Sequence, residues 1–266
     1  MIQADSNHPG NIKAVLLDLD GVLYVGDAMI EGADCVVNHL RQQKFEIAGL
    51  TNTTTQSRRM IADKLLSLGI ALAGNELFTP AALAVHAIAD RSARLYIRDA
   101  LHEDFVGIRQ DAAHPEVIVM GDIGGEGYPP ETLREIFLHV MDGAEILALH
   151  KNRFWQKPDG LHLDLGTFVS AIEYATGKQA TILGKPSADF FHGVCRALHT
   201  PPEQSLMIGD DIESDILGAH TAGLQTALVH TGKYRQDFAQ RIMHAHHFKP
   251  QLELPSIADL LSQLSV

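Results

Sequence analysis

The chain has 266 residues, of which 45% are hydrophobic and 20% charged, so it can bury a substantial core and lacks the composition of a disordered protein. Its formal net charge of -12 argues against nucleic-acid binding, because such proteins concentrate Lys and Arg on one face. No apolar run is long enough to cross a bilayer, and residues 1–12 lack the apolar segment of a signal peptide, so we expect a cytoplasmic protein without a membrane partner.

The N-terminal part alternates between short apolar runs and helical patterns. Residues 13–17 form a mainly apolar run that stops at Asp18, which is typical of a strand buried in a parallel sheet. A helix is predicted over 32–44, a second strand over 45–50 and a second helix over 57–68. Strands and helices that alternate with short connections predict βαβ units around a parallel sheet.

The same alternation continues through the middle and the C-terminal part of the chain. We predict a second α/β unit over 81–179, inserted into a discontinuous first unit that comprises 1–80 and 180–266. The predicted strands are 94–97, 117–120, 146–149, 180–183, 205–208 and 225–229, and the predicted helices are 130–141, 166–175, 187–198, 214–222 and 257–264.

Four polar motifs each follow a predicted strand, and in an open parallel sheet such positions converge at the carboxyl edge, where ligands bind. The first motif holds Asp18 and Asp20, two carboxylates that can both face this edge, and Gly21 allows a tight exit. The second is Thr51 and Asn52, whose hydroxyl and amide groups can donate to phosphate oxygens without adding negative charge. Taken alone, each motif is also explained as a turn or a helix cap.

The third motif provides a positively charged side chain, and the fourth provides an acidic cluster. Lys185 can neutralise a phosphate and an attacking carboxylate, although a single lysine is as readily a surface residue. Residues 209–215 include Asp210 and Asp215, and acids this dense repel one another unless a cation is present. Mg²⁺ prefers a few carboxylates together with water and phosphate oxygens, so this cluster and Asp18 predict a magnesium site. The alternative is a solvated acidic turn at a helix start.

In this order, the motifs resemble those of the haloacid dehalogenase-like superfamily. The matching segments are residues 18–22, Thr51, Lys185 and residues 209–215. The stretches 17–24 and 50–52 are similar to the class IIA, or NagD-like, subgroup. The resemblance covers about residues 13–235. It implies an α/β fold, with a Rossmann-like three-layer core around a parallel sheet and an inserted C2-type α/β cap between the second and third motifs.

The resemblance also implies a magnesium-dependent phosphatase that forms a phospho-aspartyl intermediate. Asp18 is expected to attack phosphorus, and Asp20 to protonate the leaving oxygen and then deprotonate the hydrolytic water. Mg²⁺ is expected between Asp18, Asp210 and the main-chain carbonyl of Asp20. The residues expected to bind the remaining phosphate oxygens are Lys185, Thr51 and Asn52, and the one expected to orient Lys185 or a metal-bound water is Asp215.

Three other functions fit parts of the pattern. A dehalogenase keeps an attacking Asp but needs neither Asp20 nor a metal. A phospho-accepting signalling receiver is much shorter and has no inserted unit. A catalytically silent, partner-binding protein has no need for the full set of motif residues, all of which are present here. Turnover of p-nitrophenyl phosphate with and without Mg²⁺ separates these possibilities.

The sequence leaves the substrate open among phosphorylated small molecules, pyrophosphate and phosphorylated side chains. In capped relatives the cap shapes the leaving-group pocket, so residues 152–165 of the inserted unit are the first candidates for selectivity. Related proteins often dimerise through the cap, and a homodimer of this kind is a further expectation.

Overall fold

A computed structural model describes residues 12–125, 127–157 and 160–263, and for 154–157 and 161 it describes the backbone alone. Short strands alternate with helices along these residues. In this part of the chain the strands are β1 (Ala14–Asp18), β2 (Tyr24–Val25), β3 (Ala28–Met29), β4 (Glu46–Leu50), β5 (Leu77–Phe78), β6 (Ala93–Tyr96), β7 (Val117–Met120), β8 (Glu145–Ala148), β9 (Phe154–Lys157), β10 (Gly160–Leu163), β11 (Thr181–Ile182), β12 (Ser205–Gly209), β13 (Gln225–Val229) and β14 (Leu252–Leu254).

Some of the helices begin or end beside residues that favour those positions. Over the same described residues they are α1 (Ala33–Gln42), α2 (Arg58–Ser67), α3 (Pro80–Ile88), α4 (Pro130–Met141), α5 (Leu165–Thr176), α6 (Ala188–Ala197), α7 (Gly218–Thr221), α8 (Gln236–His246) and α9 (Leu260–Gln263). At the start of α3, the Thr79 hydroxyl oxygen accepts a hydrogen bond from the Ala82 amide, as an N-cap should. α5 ends at Gly177, whose φ of 68° suits glycine.

The chain forms two compact units. The first runs up to Thr51, resumes over Ile61–Phe78 and continues from Lys185, and the second comprises Asn52–Met60 and Thr79–Gly184. Each unit has its own parallel sheet. The structure therefore confirms the predicted α/β fold class.

The sheet of the first unit has six parallel strands in the order β14-β13-β12-β1-β4-β5. β1 lies inside the sheet, and all five of its residues are buried. Val15 and Leu17 share a core with apolar residues of α1 and α2, and Leu16 points to the opposite face because side chains alternate along a strand. Burial on both faces explains why the sequence of β1 is a continuous apolar run.

The sheet of the second unit has four parallel strands in the order β11-β8-β7-β6, and β9 and β10 form a separate antiparallel hairpin. The fully buried β7 lies in its core together with Ile136 of α4 and Val169 of α5. The described residues include no helix with the length and apolarity needed to span a bilayer.

One predicted strand lies in a different sheet from the one we expected. Residues 180–183 are predicted to belong to the first unit, but the strand found there, β11, pairs in parallel with Leu147 and Ala148 of β8 in the second. An apolar run indicates a strand without specifying its partner, which explains the difference. Consequently Lys185 follows a strand of the second sheet, whereas the other three motifs follow strands of the first.

Candidate active site

Three of the polar motifs meet at the carboxyl edge of the first sheet. Asp18 is the last residue of β1, Thr51 follows β4 and Asp210 follows β12. β1 is hydrogen-bonded to both of the other strands, so the three residues start from neighbouring points. All three are buried, with 6%, 7% and 1% of their surface exposed. Buried carboxylates need partners that compensate their charge, and the partners of Asp18 and Asp210 show where the site lies.

Lys185 is the positive partner of this acidic group. Its side chain is 3% exposed, and its Nζ donates to Asp18 Oδ1 at 2.6 Å and lies 2.7 Å from Asp215 Oδ1. Burial by itself lowers the pKa of Lys185, but the two carboxylates outweigh burial and raise it above the ordinary value. Lys185 therefore stays charged and links the carboxylate at the end of β1 to a carboxylate that follows β12.

Asp210 has the carboxylate best suited to bind a cation. Its Oδ2 accepts a hydrogen bond from the Lys233 amide at 2.6 Å, whereas its buried Oδ1 has no hydrogen-bond partner among the residues that the structure describes. Burial first, and then the carboxylates of Asp18 and Asp215, raise the pKa of Asp210 from 3.8 to about 7. One oxygen from each of the three carboxylates lies within 4.8 Å of the others. A divalent cation supplies the missing partner of Oδ1 and offsets the repulsion, so these residues fit a metal.

Asp215 is fully buried in a π-helical turn over Ile212–Leu217. Besides its contact with Lys185, its Oδ1 accepts from the Ser214 hydroxyl at 3.2 Å and its Oδ2 from the Asp211 amide at 3.3 Å. A Cβ on Gly209 would lie 2.3 Å from the Asp215 Cβ, so only glycine allows this packing. Burial raises the pKa of Asp215 to about 6 although Lys185 opposes the shift. Because both of its oxygens already have protein partners, Asp215 is placed to hold Lys185.

Asp20 begins a tight turn after β1. Leu19 is buried in the core, and the next residue, Asp20, is exposed. Gly21 has a φ of 96°, and its amide donates to the Tyr24 carbonyl at 2.7 Å. Burial first, and then the charges of Asp20 and Asp18, raise the pKa of Tyr24 to about 12, so a protonated phenol lies near both carboxylates.

Thr51 and Asn52 are neighbours in sequence but belong to different units. The Thr51 amide donates to the Phe78 carbonyl at 3.2 Å, which fixes Thr51 between the ends of β4 and β5. Asn52 lies beside Gly184 in the second unit, since a Cβ on Gly184 would be 2.8 Å from Asn52 Oδ1. Phosphate binding by Asn52 stays a prediction.

Comparisons with known proteins identify the family. A family model described as haloacid dehalogenase-like hydrolase matches residues 15–107, and one described as HAD-hydrolase-like matches residues 182–260. The haloacid dehalogenase-like hydrolase domain-containing protein 2 of Bos taurus is 37% identical over 84% of this chain and 86% of its own length. The chain belongs to the haloacid dehalogenase-like hydrolases.

Two more comparisons refine this assignment. The phospholysine phosphohistidine inorganic pyrophosphate phosphatase of Rattus norvegicus is 33% identical to the hydrolase over 84% of this chain and 85% of its own length. NagD from Escherichia coli K-12 has the same fold, with a TM-score of 0.81. Its sequence is 22% identical, and the match covers 94% of this chain and 98% of the NagD chain. The hydrolase is thus a phosphatase of the class IIA type.

One segment of the hydrolase site has no role predicted from the sequence. Thr231, Gly232 and Lys233 come shortly after β13, the neighbour of β12 in the sheet. The Thr231 hydroxyl donates to the Gly21 carbonyl, and the Lys233 amide donates to Asp210. Their position after a strand of the first sheet is the signal that could have identified them, because the other motifs share it.

Proposed function

We propose that this haloacid dehalogenase-like phosphatase hydrolyses a phosphorylated small molecule with Mg²⁺ through a phospho-aspartyl intermediate on Asp18. The supporting observation is the buried cluster in which Lys185 holds Asp18 and Asp215 while Asp210 presents an oxygen that has no hydrogen-bond partner among the described residues. A fixed cation beside an acidic, metal-compatible pocket is what attack by an anion on a phosphate requires. A partner-binding role gives no reason to bury these charges together, and a phospho-accepting signalling receiver has no inserted unit like Thr79–Gly184.

Asp18 and Asp20 divide the chemistry between them. A carboxylate oxygen of Asp18 attacks phosphorus, the bond from phosphorus to the leaving oxygen breaks, and Asp20 donates a proton to that oxygen. In the second step Asp20 takes a proton from a water that attacks the same phosphorus. The bond to Asp18 then breaks, which releases inorganic phosphate and regenerates both carboxyl groups.

The remaining site residues hold charges in place. Lys185 keeps Asp18 oriented and its ammonium group faces the developing negative charge, with Asp215 fixing the Lys185 side chain. Asp18, Asp210 and the main-chain carbonyl of Asp20 are the groups that would hold Mg²⁺. When bound, Mg²⁺ neutralises charge on the phosphate and allows an anionic nucleophile to approach it.

The relatives offer candidates for the substrate. The relative from Rattus norvegicus carries phospholysine, phosphohistidine and inorganic pyrophosphate in its name. We therefore include pyrophosphate and phosphorylated side chains with small phosphate esters as candidates, with the cytoplasm as their compartment. The residues proposed for selectivity, 152–165, include the β9–β10 hairpin and His162, Leu163 and Asp164, which line a cavity of about 140 Å³ in the second unit.

Turnover of p-nitrophenyl phosphate by the purified full chain tests the proposal. We expect hydrolysis that requires Mg²⁺ and stops with EDTA, and a beryllium fluoride adduct located on Asp18. Asp18→Asn should abolish both turnover and adduct, because the amide cannot act as the nucleophile. Exposed Glu213→Gln is the matched control, since it also removes one carboxylate charge from this region. Equal turnover without a divalent cation, or an adduct on another residue, would contradict the proposal.

A further inference from the structure

The segment Thr231–Lys233 contacts both acidic loops of the proposed site. The Thr231 hydroxyl donates to the Gly21 carbonyl, and the Lys233 amide donates to Asp210 Oδ2 at 2.6 Å. The Tyr234 amide donates to the Thr231 carbonyl at 3.1 Å and closes the segment into a turn. The segment therefore joins the loops that follow β1, β12 and β13, three neighbouring strands of the sheet.

Gly232 lies where the loops are closest. A Cβ at this position would be 2.1 Å from Asp210 Oδ2 and 2.5 Å from the Cα of Gly21. A Cβ on Gly21 would in turn be 2.2 Å from Asp210 Oδ2. No side chain fits at either position, and both glycines have a positive φ. The carboxylate of Asp210 is therefore enclosed by the backbones of two loops.

This enclosure determines which oxygen of Asp210 is available. The Lys233 amide occupies Oδ2, so Oδ1 is the oxygen left without a partner among the described residues. We propose that Thr231–Lys233 is a positioning segment that holds Asp210 with Oδ1 directed to the metal and fixes the Gly21 loop beside it. The inference rests on the magnesium-dependent function proposed above. Groups that orient a metal ligand in this way commonly change metal affinity by about 10- to 100-fold when removed.

Two substitutions separate positioning from a general effect on folding. Gly232→Ala introduces a methyl group into the space of the Asp210 carboxylate. Its matched control is Gly69→Ala in the same unit, where φ is also positive, at 81°, but no atom of the described residues other than its two chain neighbours lies within 4 Å of the added Cβ. Thr231→Val removes the hydroxyl donor with little change of shape, and Thr231→Ser restores the donor.

Metal binding provides the readout. Mg²⁺ is titrated into each metal-free full-length variant by calorimetry, thermal unfolding of the metal-free protein is measured, and turnover of p-nitrophenyl phosphate is followed against Mg²⁺ concentration. We expect Gly232→Ala to bind Mg²⁺ at least about 10-fold more weakly than Gly69→Ala. Thr231→Val should bind it about 3- to 10-fold more weakly than the native chain, with Thr231→Ser close to native. At saturating Mg²⁺, Thr231→Val should recover most of the native kcat with an unchanged KM for substrate.

The outcomes distinguish this inference from the proposed function. If the native chain binds Mg²⁺ and needs it for turnover, but Gly232→Ala and Thr231→Val bind it as tightly as their controls, the positioning role is overturned and the proposed function stands. If the native chain neither binds Mg²⁺ nor needs it, both are overturned. If Gly232→Ala does not fold, the comparison of Thr231→Val with Thr231→Ser decides, because equal Mg²⁺ affinities in that pair overturn the inference.

Discussion

Lys185 is the residue on which the charge balance of the site depends. Its ammonium group is the direct partner of two buried carboxylates, Asp18 and Asp215. Replacing it with Met keeps most of the length and removes the charge, so both carboxylates lose their counterion. Loss of one such electrostatic group commonly lowers kcat by about 10²- to 10³-fold, and we expect a decrease of this size for Lys185→Met.

Stability should respond to the same change. The buried carboxylates of Lys185→Met are uncompensated when ionised, so the variant should lose more unfolding free energy at pH 8 than at pH 5, where protons replace the lost charge. Turnover of p-nitrophenyl phosphate and urea unfolding at the two pH values measure these effects. Lys178→Met, at an exposed position, is the control. A Lys185→Met variant that keeps more than about a tenth of the native kcat would remove Lys185 from the proposed mechanism.

Asp20 provides a second test at this scale, because its side chain and its carbonyl have different proposed roles. Asp20→Asn removes the proton donor and keeps the main-chain carbonyl that is proposed to face the metal. We expect kcat to fall by about 10²- to 10⁴-fold, while Mg²⁺ affinity measured by calorimetry stays within about threefold of native. A near-native kcat would exclude Asp20 as the acid and base, and a parallel loss of Mg²⁺ affinity would instead place its carboxylate at the metal.

At the scale of elements, the sequence predicts the strands that form clear apolar runs, but not which strands pair with one another. β1, β12 and β13 are short apolar runs, and the structure has strands within one residue of the predicted limits. The strands β2, β3 and β14 are only two or three residues long. They are too short for the alternation of apolar and polar residues to be recognised in the sequence. β11 is recognisable as a strand from its apolar residues. Its pairing with β8 depends on how the rest of the second unit folds, so it cannot be derived from those residues alone.

The sequence indicates those site residues that act through a charged side chain. Asp18, Lys185 and Asp210 have charged side chains at the ends of strands, and residue type and position together indicate their chemistry. The segment Thr231–Lys233 acts through a backbone amide, a hydroxyl group and the absence of a side chain. Backbone groups are present at almost every position, so no residue type marks this contribution in a single sequence.

The π-helical turn Ile212–Leu217 shows how an acid near the site can serve the element instead of the metal. Asp211 Oδ1 accepts from the Glu213 and Ser214 amides, both at 3.0 Å, as an N-cap does. We expect Asp211→Ala to lower the unfolding free energy by about 1 kcal/mol, and Asp211→Asn, which keeps the acceptor, to be close to native. Urea unfolding measures both. If Asp211→Asn weakened Mg²⁺ binding by about 10-fold, Asp211 would belong to the metal site instead.

At the scale of the whole molecule, the chain has a net charge of -12. It buries three carboxylates close together, and one buried lysine, Lys185, contacts two of them. In the metal-free protein, burial and neighbouring carboxylates raise the pKa of Asp210 to about 7 from an ordinary value of 3.8. The folded state therefore binds this proton more tightly than the unfolded state does. The stabilisation that comes from the proton is complete below about pH 4 and is lost as the pH rises to about 7.

Asp210→Asn isolates this effect because the amide cannot ionise and its oxygen can still accept from the Lys233 amide. The metal-free variant should equal the native chain near pH 4 and exceed it at pH 8 by roughly 1 to 3 kcal/mol of unfolding free energy. Urea unfolding of both proteins across this pH range measures the difference, in which the titrating groups remote from Asp210 cancel. Mg²⁺ should reverse the order at pH 8, because it binds and stabilises the native chain far more than the variant. If the native chain were the more stable of the two at pH 8 without a metal, the carboxylates would not repel one another and the reason for a cation between them would disappear.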